Sequence, residues 1–389
     1  MKSALFTCRP WDLLDERPEH ALDRLAGEIG IDAVSVAAVA GAETQFRPHD
    51  GVEQRWFTTE AAAHFQPETV RYAHGRIRPL PGAWMKTRNP FESIARACEK
   101  RGVKLRAACA ACHSETLAER HPQAACRDAF GRRSAAWLCP ANPDVREYVA
   151  SLVDDLSANY PLAAVELAAI EFGPGPRPAS AERIGLALGP VERFLLALCT
   201  CESCGQFARQ QGVDAAAALA ELRDALEPTL AGAAPRREPL DDFLGARPAL
   251  ADWVDLRQQA VTGLLEIVRR RCASSLVVQV PRDPLAAAFD AEAAAAQCDA
   301  FAVALPGESD VSRAARFADL SRAQGGPQRV EPAFCCHPPL VTEGPVLVRR
   351  VHDAVAAGHE TIRFYDYGTA TNSALEWVRQ AIRYARREG

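Results

Sequence analysis

The stretch "CPANPDVREYVASLVDDLSANYPLAAVELAAIEFG", from Cys139 to Gly173, contains one complete helix-to-strand unit. Asn142 can cap a helix whose first residue is Pro143, a position where the missing N–H costs no hydrogen bond. The helical pattern covers 143–159, and the apolar run Ala164–Ile170 that follows predicts a buried strand. A helix that leads directly into a buried strand is typical of parallel α/β folds.

The same alternation recurs along the whole chain. Eight short apolar runs predict strands: Ala4–Cys8, Ala33–Ala38, Lys104–Ala108, Ala164–Ile170, Ser275–Val280, Phe301–Leu305, Arg329–Phe334 and Thr361–Tyr365. Helical patterns follow them at 17–29, 90–101, 143–159, 205–228, 284–296, 310–323, 344–357 and 371–387, with an extra one at 249–271. Eight such units favour a closed (β/α)8 TIM barrel over an open doubly wound sheet.

We expect one barrel domain over residues 1–389, with long loops at 40–90, 109–141 and 171–204. These loops follow the predicted strands two, three and four. In barrels of this kind the chemistry lies at the C-terminal ends of the strands, on the βα loops. Long loops in a compact domain are usually functional or disordered, and the aromatic residues of the first of these loops favour function.

The composition limits the class of protein. The formal charge is −5 and no stripe of Lys and Arg is present, which argues against nucleic-acid binding. No run approaches 18 apolar residues, so we expect no membrane span. The short N-terminal apolar run ends at Arg9 and Pro10 and predicts a strand, not a signal peptide. Thirteen cysteines without an export signal indicate reduced thiols and a cytoplasmic protein.

Three of these cysteines lie within six residues, in "CTCESC" at 199–204. Cys201 and Cys204 have the C-x-x-C spacing that supplies two ligands of a structural zinc ion, and Cys199 can fold back as a third. We expect Cys139, on the neighbouring βα loop, to be the fourth ligand. The alternative is a group of buried free cysteines without metal. Four thiolates leave no open position for water, so the predicted zinc is structural.

These segments together resemble the family 42 β-galactosidases, which are (β/α)8 retaining glycoside hydrolases. That family has a Cys before a helix with S/N-P-x-x-R-E-Y, an N-E-[YF]-G motif after strand four and a C-x-C-x-x-C that binds zinc. The resemblance covers residues 139–210 and implies zinc ligation by Cys139, Cys199, Cys201 and Cys204. It also implies a general acid/base role for Glu171, although Ile170 stands where the family has Asn.

The closing segment "GHETIRFYDYGTATNSALEWVRQAI", 358–382, resembles a group of poorly characterised bacterial barrel proteins that are similar to glycosidases. Taken together, the two resemblances imply a glycoside hydrolase that acts on a β-linked sugar or oligosaccharide. The alternative, supported by Ile170, is a carbohydrate-binding barrel that has lost catalysis. Whether the chain forms a homo-oligomer stays open.

Retaining hydrolysis needs two carboxylates about 5–5.5 Å apart, one protonated and one ionised. Glu171, at the end of strand four, is the predicted acid/base, and Glu331, in strand seven, is the predicted nucleophile. Pro332 after Glu331 indicates an irregular or terminating strand. A barrel-interior glutamate paired with an arginine is the alternative interpretation of Glu331, and Asp366 is then the reserve nucleophile.

Sugar sites combine aromatic faces with side chains that bind hydroxyl groups. Five residues on the predicted loops have these properties, and the alternative for each is loop packing. The predicted substrate-binding residues are Arg47, Trp84, His113, Tyr365 and Asp366.

Overall fold

Parallel strands around a closed barrel form the centre of the molecule. We describe a computed structural model, which covers residues 1–49, 51–86, 88–175 and 185–388. The strands are β1 Ser3–Cys8, β2 Ala33–Ala40, β3 Glu43–Phe46, β4 Trp56–Thr59, β5 Ala62–Ala63, β6 Lys104–Ala110, β7 Ala125–Arg127, β8 Arg133–Leu138, β9 Ala164–Ala168, β10 Ser275–Gln279, β11 Ala300–Ala304, β12 Val330–Cys335 and β13 Thr361–Tyr365.

Eight of these strands pair in parallel in the order β1-β2-β6-β9-β10-β11-β12-β13, and β13 returns to β1. Leu5 of β1 pairs with Ala33 on one side and with Arg363 on the other, so the sheet closes on itself. The prediction of a (β/α)8 barrel is confirmed. Closure leaves no exposed edge in the barrel sheet.

Helices surround the barrel. They are α1 Pro10–Asp15, α2 Pro18–Leu22, α3 Pro90–Arg101, α4 Glu115–Arg120, α5 Pro143–Asn159, α6 Pro190–Ala197, α7 Glu202–Gln211, α8 Ala215–Leu230, α9 Leu240–Gly245, α10 Pro248–Arg271, α11 Pro284–Ala287, α12 Ala291–Ala295, α13 Asp310–Ala323, α14 Gly344–Ala356 and α15 Asn372–Glu388. The main apolar core fills the space between these helices and the outer face of the strands. Among the described helices, none combines the length and the apolar character needed to cross a membrane.

Several predicted helices are divided, for local reasons. The predicted helix 205–228 is two helices, because Gly212 adopts a left-handed φ of 73° that ends α7 and the Asp214 side chain caps α8. The predicted helix 284–296 is likewise two short helices, and Asp290 caps the second. The prediction over 17–29 is observed as α2 followed by a π-helical segment, Asp23–Ile29.

Two strand predictions need correction. Strand β9 ends at Ala168, two residues early, because Ala169 has a φ of 53° and leaves the extended conformation. Strand β12 runs through Pro332 to Cys335 and pairs with β11 without a register shift, so the irregular or terminating strand that this proline indicated is not observed. A proline ring is compatible with extended backbone and removes only one donor from the ladder.

The long loops carry their own structure. The first contains the antiparallel hairpin β3–β4 and the short strand β5, which pairs with β2. The second contains α4 and the antiparallel hairpin β7–β8. The third contains α6, and residues 176–184 of that loop lie outside the described residues.

Candidate functional site

A cavity of about 360 Å³ opens at the C-terminal ends of the barrel strands. Because parallel strands all end on the same rim, residues far apart in sequence meet here. The polar side chains that line this mouth cavity are Thr7, Arg9, Ser35, Glu166, Gln279, Arg363, Tyr365 and Asp366. The cavity has the position and the polar lining of a ligand site in a TIM barrel.

An ion-pair network forms the floor of the mouth cavity, which Glu166 and Arg363 line, and extends to Glu331 in the barrel interior. The Arg363 guanidinium donates to Glu166 Oε1 at 2.9 Å and to Glu331 Oε2 at 2.7 Å, and Arg106 Nη1 donates to Glu331 Oε2 at 2.8 Å. The Ser35 hydroxyl donates to Glu166 Oε2 at 2.6 Å. Burial opposes the ionisation of Glu166, but Arg363, Arg106 and Ser35 outweigh it and lower the pKa of Glu166 to about 2. Two carboxylates and two guanidinium groups thus balance in charge.

Glu331, the predicted nucleophile, belongs to this interior network. Its side chain is 5% exposed, and both carboxylate oxygens accept hydrogen bonds from Arg106 while Oε2 also accepts one from Arg363. Glu331 is not among the residues that line the mouth cavity. The alternative interpretation from the sequence, an interior glutamate paired with arginine, describes its surroundings.

Glu171, the predicted acid/base, is enclosed next to strand β9. The left-handed conformation of Ala169 breaks the alternation of the strand, and Glu171 follows it with 9% of its surface exposed. Among the described residues, Glu171 Oε2 has no hydrogen-bond partner, and its negative charge acts on the buried thiol of Cys112. Burial raises the pKa of Glu171 to about 7. The described residues that line the mouth cavity do not include it.

Asp366 is the carboxylate that the structure brings to the mouth cavity with part of its surface accessible. It follows strand β13, its side chain is 32% exposed, and Arg9 Nη1 lies 3.9 Å from its Oδ1. Arg9 is itself held by Glu43, at 2.6 Å from Nε to Oε1. Burial raises the pKa of Asp366, and the positive charge of Arg9 opposes that rise. Tyr365 lines the same cavity.

The other three predicted substrate residues lie outside the described lining of the mouth cavity. Arg47 is 1% exposed; it forms an ion pair with Asp15 at 2.8 Å and donates to the Trp11 carbonyl, so its side chain is engaged by contacts within the protein. His113 stands edge-on to Trp137, with ring centroids 4.9 Å apart.

Trp84, the third of these residues, belongs to an aromatic group that sequence reasoning missed. Trp11 stacks on Phe57 with centroids 4.4 Å apart, and Trp84 stands edge-on to both. The Trp84 indole N–H donates to His64 Nδ1 at 3.3 Å. The alternation of β4, in which Phe57 faces inward between exposed neighbours, was the available signal.

The four predicted zinc ligands meet in one place. The sulfur atoms of Cys139, Cys199, Cys201 and Cys204 all lie within 4.8 Å of one another, and all four side chains are buried. Sγ of Cys204 is 3.5 Å from Sγ of Cys139 and 3.8 Å from Sγ of Cys201. Four sulfurs at about 2.3 Å from a tetrahedral zinc ion lie about 3.8 Å apart, so the cluster fits the geometry of a four-thiolate metal site.

Secondary contacts also suit a thiolate site. The backbone N–H of Arg127 donates to Cys199 Sγ at 3.4 Å. Hydrogen bonds from the thiol of Cys126 and from the other three cysteines hold the pKa of Cys199 well below its ordinary value. Cys126 is a fifth thiol of the cluster that sequence reasoning missed. It lies on β7, which pairs with β8, the strand that leads directly into Cys139.

No family model and no curated protein sequence matches this chain. Its structure is similar to a β-galactosidase from the psychrophilic Marinomonas ef1, with a TM-score of 0.56 and 12% identity over 98% of this chain and 59% of that one. A β-galactosidase from the Antarctic haloarchaeon Halorubrum lacusprofundi gives a TM-score of 0.56 and 12% identity over 98% of this chain and 58% of that one.

The catalytic domain of a β-amylase from Paenibacillus polymyxa gives a TM-score of 0.55 and 10% identity over 100% of this chain and 98% of that one. The chain spans less than two thirds of the two β-galactosidases. At these identities the likeness shows the barrel fold alone.

Proposed function

We propose that this chain is a glycoside hydrolase-like barrel that binds a small carbohydrate in the mouth cavity. The observation that carries the proposal is the combination of Arg9, Gln279, Tyr365 and Asp366 around a cavity of about 360 Å³. Charged and amide side chains offer the donors and acceptors that sugar hydroxyls need, and a tyrosine ring offers an apolar face. The volume lies near the lower end of the roughly 300–1,000 Å³ of small-ligand sites, which suits one or two sugar units.

Binding without turnover is the form of this function that the geometry supports best. A retaining glycosidase needs two carboxylates about 5–5.5 Å apart across an open pocket. In the mouth cavity, Glu166 is held by Arg363 and Ser35, while Asp366 is partly accessible. Glu331 lies in the interior network, and Glu171 is enclosed beside Cys112.

Hydrolysis of a β-linked glycoside is the second candidate, and one observation favours it. A pKa of about 7 lets Glu171 carry a proton at neutral pH, as a general acid must. In this candidate Asp366 takes the nucleophile position in place of Glu331. The candidate requires that Glu171 reach the mouth cavity when a substrate is bound.

We further propose that zinc occupies the cysteine cluster. Cys139, Cys199, Cys201 and Cys204 would hold it as a closed structural site. The zinc ion would tie the loop after β9 to the loop before α5. Its chemistry is limited to this support, because four thiolates leave no position for water.

The test is direct binding of sugars, with hydrolysis measured in parallel. Isothermal titration calorimetry with galactose, glucose, fucose and their β-linked disaccharides is expected to give binding for at least one of them. Asp366→Asn is expected to weaken it at least about tenfold, because a charge-assisted hydrogen bond to a hydroxyl is lost. Asp353→Asn, on the exposed surface of α14, is the matched control and should bind as the wild type does.

A panel of 4-nitrophenyl β-glycosides separates the two candidates. Turnover by the wild type that disappears in Glu171→Gln would establish hydrolysis, and the proposal of binding without turnover would then be rejected. Absence of both binding and turnover for every sugar tested would refute the proposed function.

A further inference from the structure

Arg257 is a buried cation whose counter-charge is not a carboxylate of the described chain. It lies on α10 with 1% of its surface exposed. Its Nη2 donates to the Ala286 carbonyl at 3.0 Å, and its guanidinium carbon lies 4.6 Å from the centre of the Phe172 ring. Among the described residues, Nε and Nη1 have no hydrogen-bond partner. An uncompensated buried charge is costly, and buried arginines are ordinarily paired.

The groups that act on this charge are the cysteines of the metal-binding cluster. Burial lowers the pKa of Arg257, and the ionised forms of Cys199, Cys204, Cys126 and Cys139 oppose that effect. Neutral thiols offer no net counter-charge. A divalent metal with four thiolates carries a net charge of −2, because four negative sulfurs surround two positive charges.

Helix α10 presents a second contact to the same cluster. Trp253, one turn before Arg257, donates its indole N–H to the Cys199 carbonyl at 3.3 Å. Residues four apart lie on the same helix face, so Arg257 lies on the face of α10 that contacts the cysteine cluster through Trp253. Trp253 and Arg257 are both 1% exposed. The packing of α10 therefore holds the Arg257 side chain in place.

We infer that Arg257 is the counter-charge of a metal tetrathiolate at Cys139, Cys199, Cys201 and Cys204, and that it strengthens metal binding from outside the ligand sphere. Its single positive charge leaves a net charge of −1 over the metal, its thiolates and the guanidinium. In a buried site, where charges are weakly screened, this neutralisation favours the metal-bound state. The inference does not depend on the sugar-binding function proposed above.

The same side chain connects the metal site to the segment that carries Glu171. The guanidinium covers the ring of Phe172, and the backbone N–H of Phe172 donates to the Ala287 carbonyl at 3.2 Å. Arg257 holds the neighbouring carbonyl of Ala286. Metal binding therefore supports the loop after β9 through Arg257 as well as through the cysteines themselves.

The test compares zinc affinity and thermal stability in four full-length proteins: wild type, Arg257→Met, Arg257→Lys and the control Arg313→Met. Metal is removed from each protein under anaerobic conditions, and the metal-free protein is titrated with Zn²⁺ in competition with a chromophoric chelator. Co²⁺ then serves as a spectroscopic probe, through its thiolate charge-transfer band. Arg313 is a matched control because it is a buried arginine on α13 that pairs with Asp310 and the Glu308 carbonyl.

Arg257→Met is expected to weaken Zn²⁺ binding about tenfold or more, the usual effect of losing an outer-sphere partner. It should lower the melting temperature of the metal-bound protein but not that of the metal-free protein, where the arginine is uncompensated. Arg257→Lys keeps the positive charge and should therefore weaken Zn²⁺ binding less than Arg257→Met does. Arg313→Met should leave the affinity unchanged and lower both melting temperatures equally.

Unchanged Zn²⁺ affinity in Arg257→Met, with the same gap between metal-free and metal-bound melting temperatures as in the wild type, would overturn the inference. A wild-type protein that takes up neither Zn²⁺ nor Co²⁺ would also overturn the inference, because the negatively charged metal tetrathiolate would not form. If Arg257→Met does not fold, Arg257→Gln serves as a second neutral variant. Its Zn²⁺ affinity and its metal-free and metal-bound melting temperatures are then compared with those of the wild type.

Discussion

Replacing Glu166 by Gln tests the ion-pair network at the floor of the mouth cavity. A glutamine resembles a protonated glutamate in shape, so the substitution reproduces the neutral form of the side chain. The folded protein lowers the pKa of Glu166 from its ordinary 4.5 to about 2. One pKa unit corresponds to about 1.4 kcal/mol, so the ionised form is stabilised by about 3 kcal/mol relative to the neutral form. The side chain is 7% exposed, so solvent screens this value little.

We therefore expect Glu166→Gln to lower the free energy of unfolding by about 3 kcal/mol at pH 7. Because the pKa in the folded state lies below that of the unfolded chain, the stabilisation is complete above about pH 5 and is lost as the pH falls toward 2. At pH 3 the unfolded glutamate is mostly protonated while the folded one is still ionised. The difference between variant and wild type should then shrink to less than half of its value at pH 7.

Urea unfolding at pH 7, 5 and 3, followed by circular dichroism, measures this difference. Glu92→Gln is the control, because Glu92 is 46% exposed and pairs with Arg96 on the surface of α3. That variant should differ from the wild type by about 0.5 kcal/mol or less. A loss below about 1 kcal/mol for Glu166→Gln at pH 7, or a loss that is the same at pH 7 and pH 3, would refute the reasoning.

The remaining predictions concern the cysteine cluster and the two other carboxylates. Cys201→Ser is expected to release the metal and to lower the free energy of unfolding by several kcal/mol, measured by elemental analysis and urea unfolding. The control is Cys298→Ser, which replaces a buried cysteine outside the cluster and should keep the metal. One metal equivalent retained by Cys201→Ser would contradict the site. Burial raises the pKa of Glu171 from 4.5 to about 7, so wild-type stability falls as the pH rises through this range. Glu171→Gln should therefore be more stable than the wild type by up to about 3 kcal/mol at pH 8 and equal to it at pH 4, and a variant less stable at pH 8 would show the burial argument to be wrong. Arg9→Met removes the cation that opposes the rise in the pKa of Asp366, so as the pH is lowered Asp366 takes up its proton earlier and sugar binding should be lost at a higher pH than in the wild type. Calorimetric titrations at a series of pH values would count against this if the pH at which half of the affinity is lost is the same in both proteins.

The elements that could be predicted from the sequence are those with a local cause. Asn142 and Pro143 begin α5 at the predicted residue, because the cap and the proline act on the backbone within three residues of themselves. The pair Cys201 and Cys204 could also be predicted locally, because two cysteines three residues apart can supply two ligands to one metal ion. Cys139, 65 residues before Cys204, was predicted from the barrel topology, which places its βα loop beside the loop that carries the other three cysteines.

Interactions between distant elements could not be predicted in this way. Arg257 and Cys126 approach the cluster from α10 and β7, and nothing in their own neighbourhoods indicates this. The position of Glu171 depends on the left-handed conformation of Ala169, which alanine rarely adopts and which the sequence does not signal.

The sequence by itself determined the (β/α)8 architecture, because the alternation of short apolar runs with helical patterns is a property of consecutive residues. It also placed Glu171 and Asp366 just beyond the ends of strands four and eight, whereas Glu331 lies at the second residue of strand seven, near its start. Only the tertiary structure decided which of these carboxylates line the mouth cavity. Glu331 and Glu166 share Arg363, which lies 32 residues from the first and 197 from the second, and they meet because closure of the barrel brings their strands' interior faces together. Asp366, just beyond the end of β13, stays partly accessible in the mouth cavity. A side chain's partners across a closed barrel depend on the register of all eight strands, and no single segment of sequence contains that information.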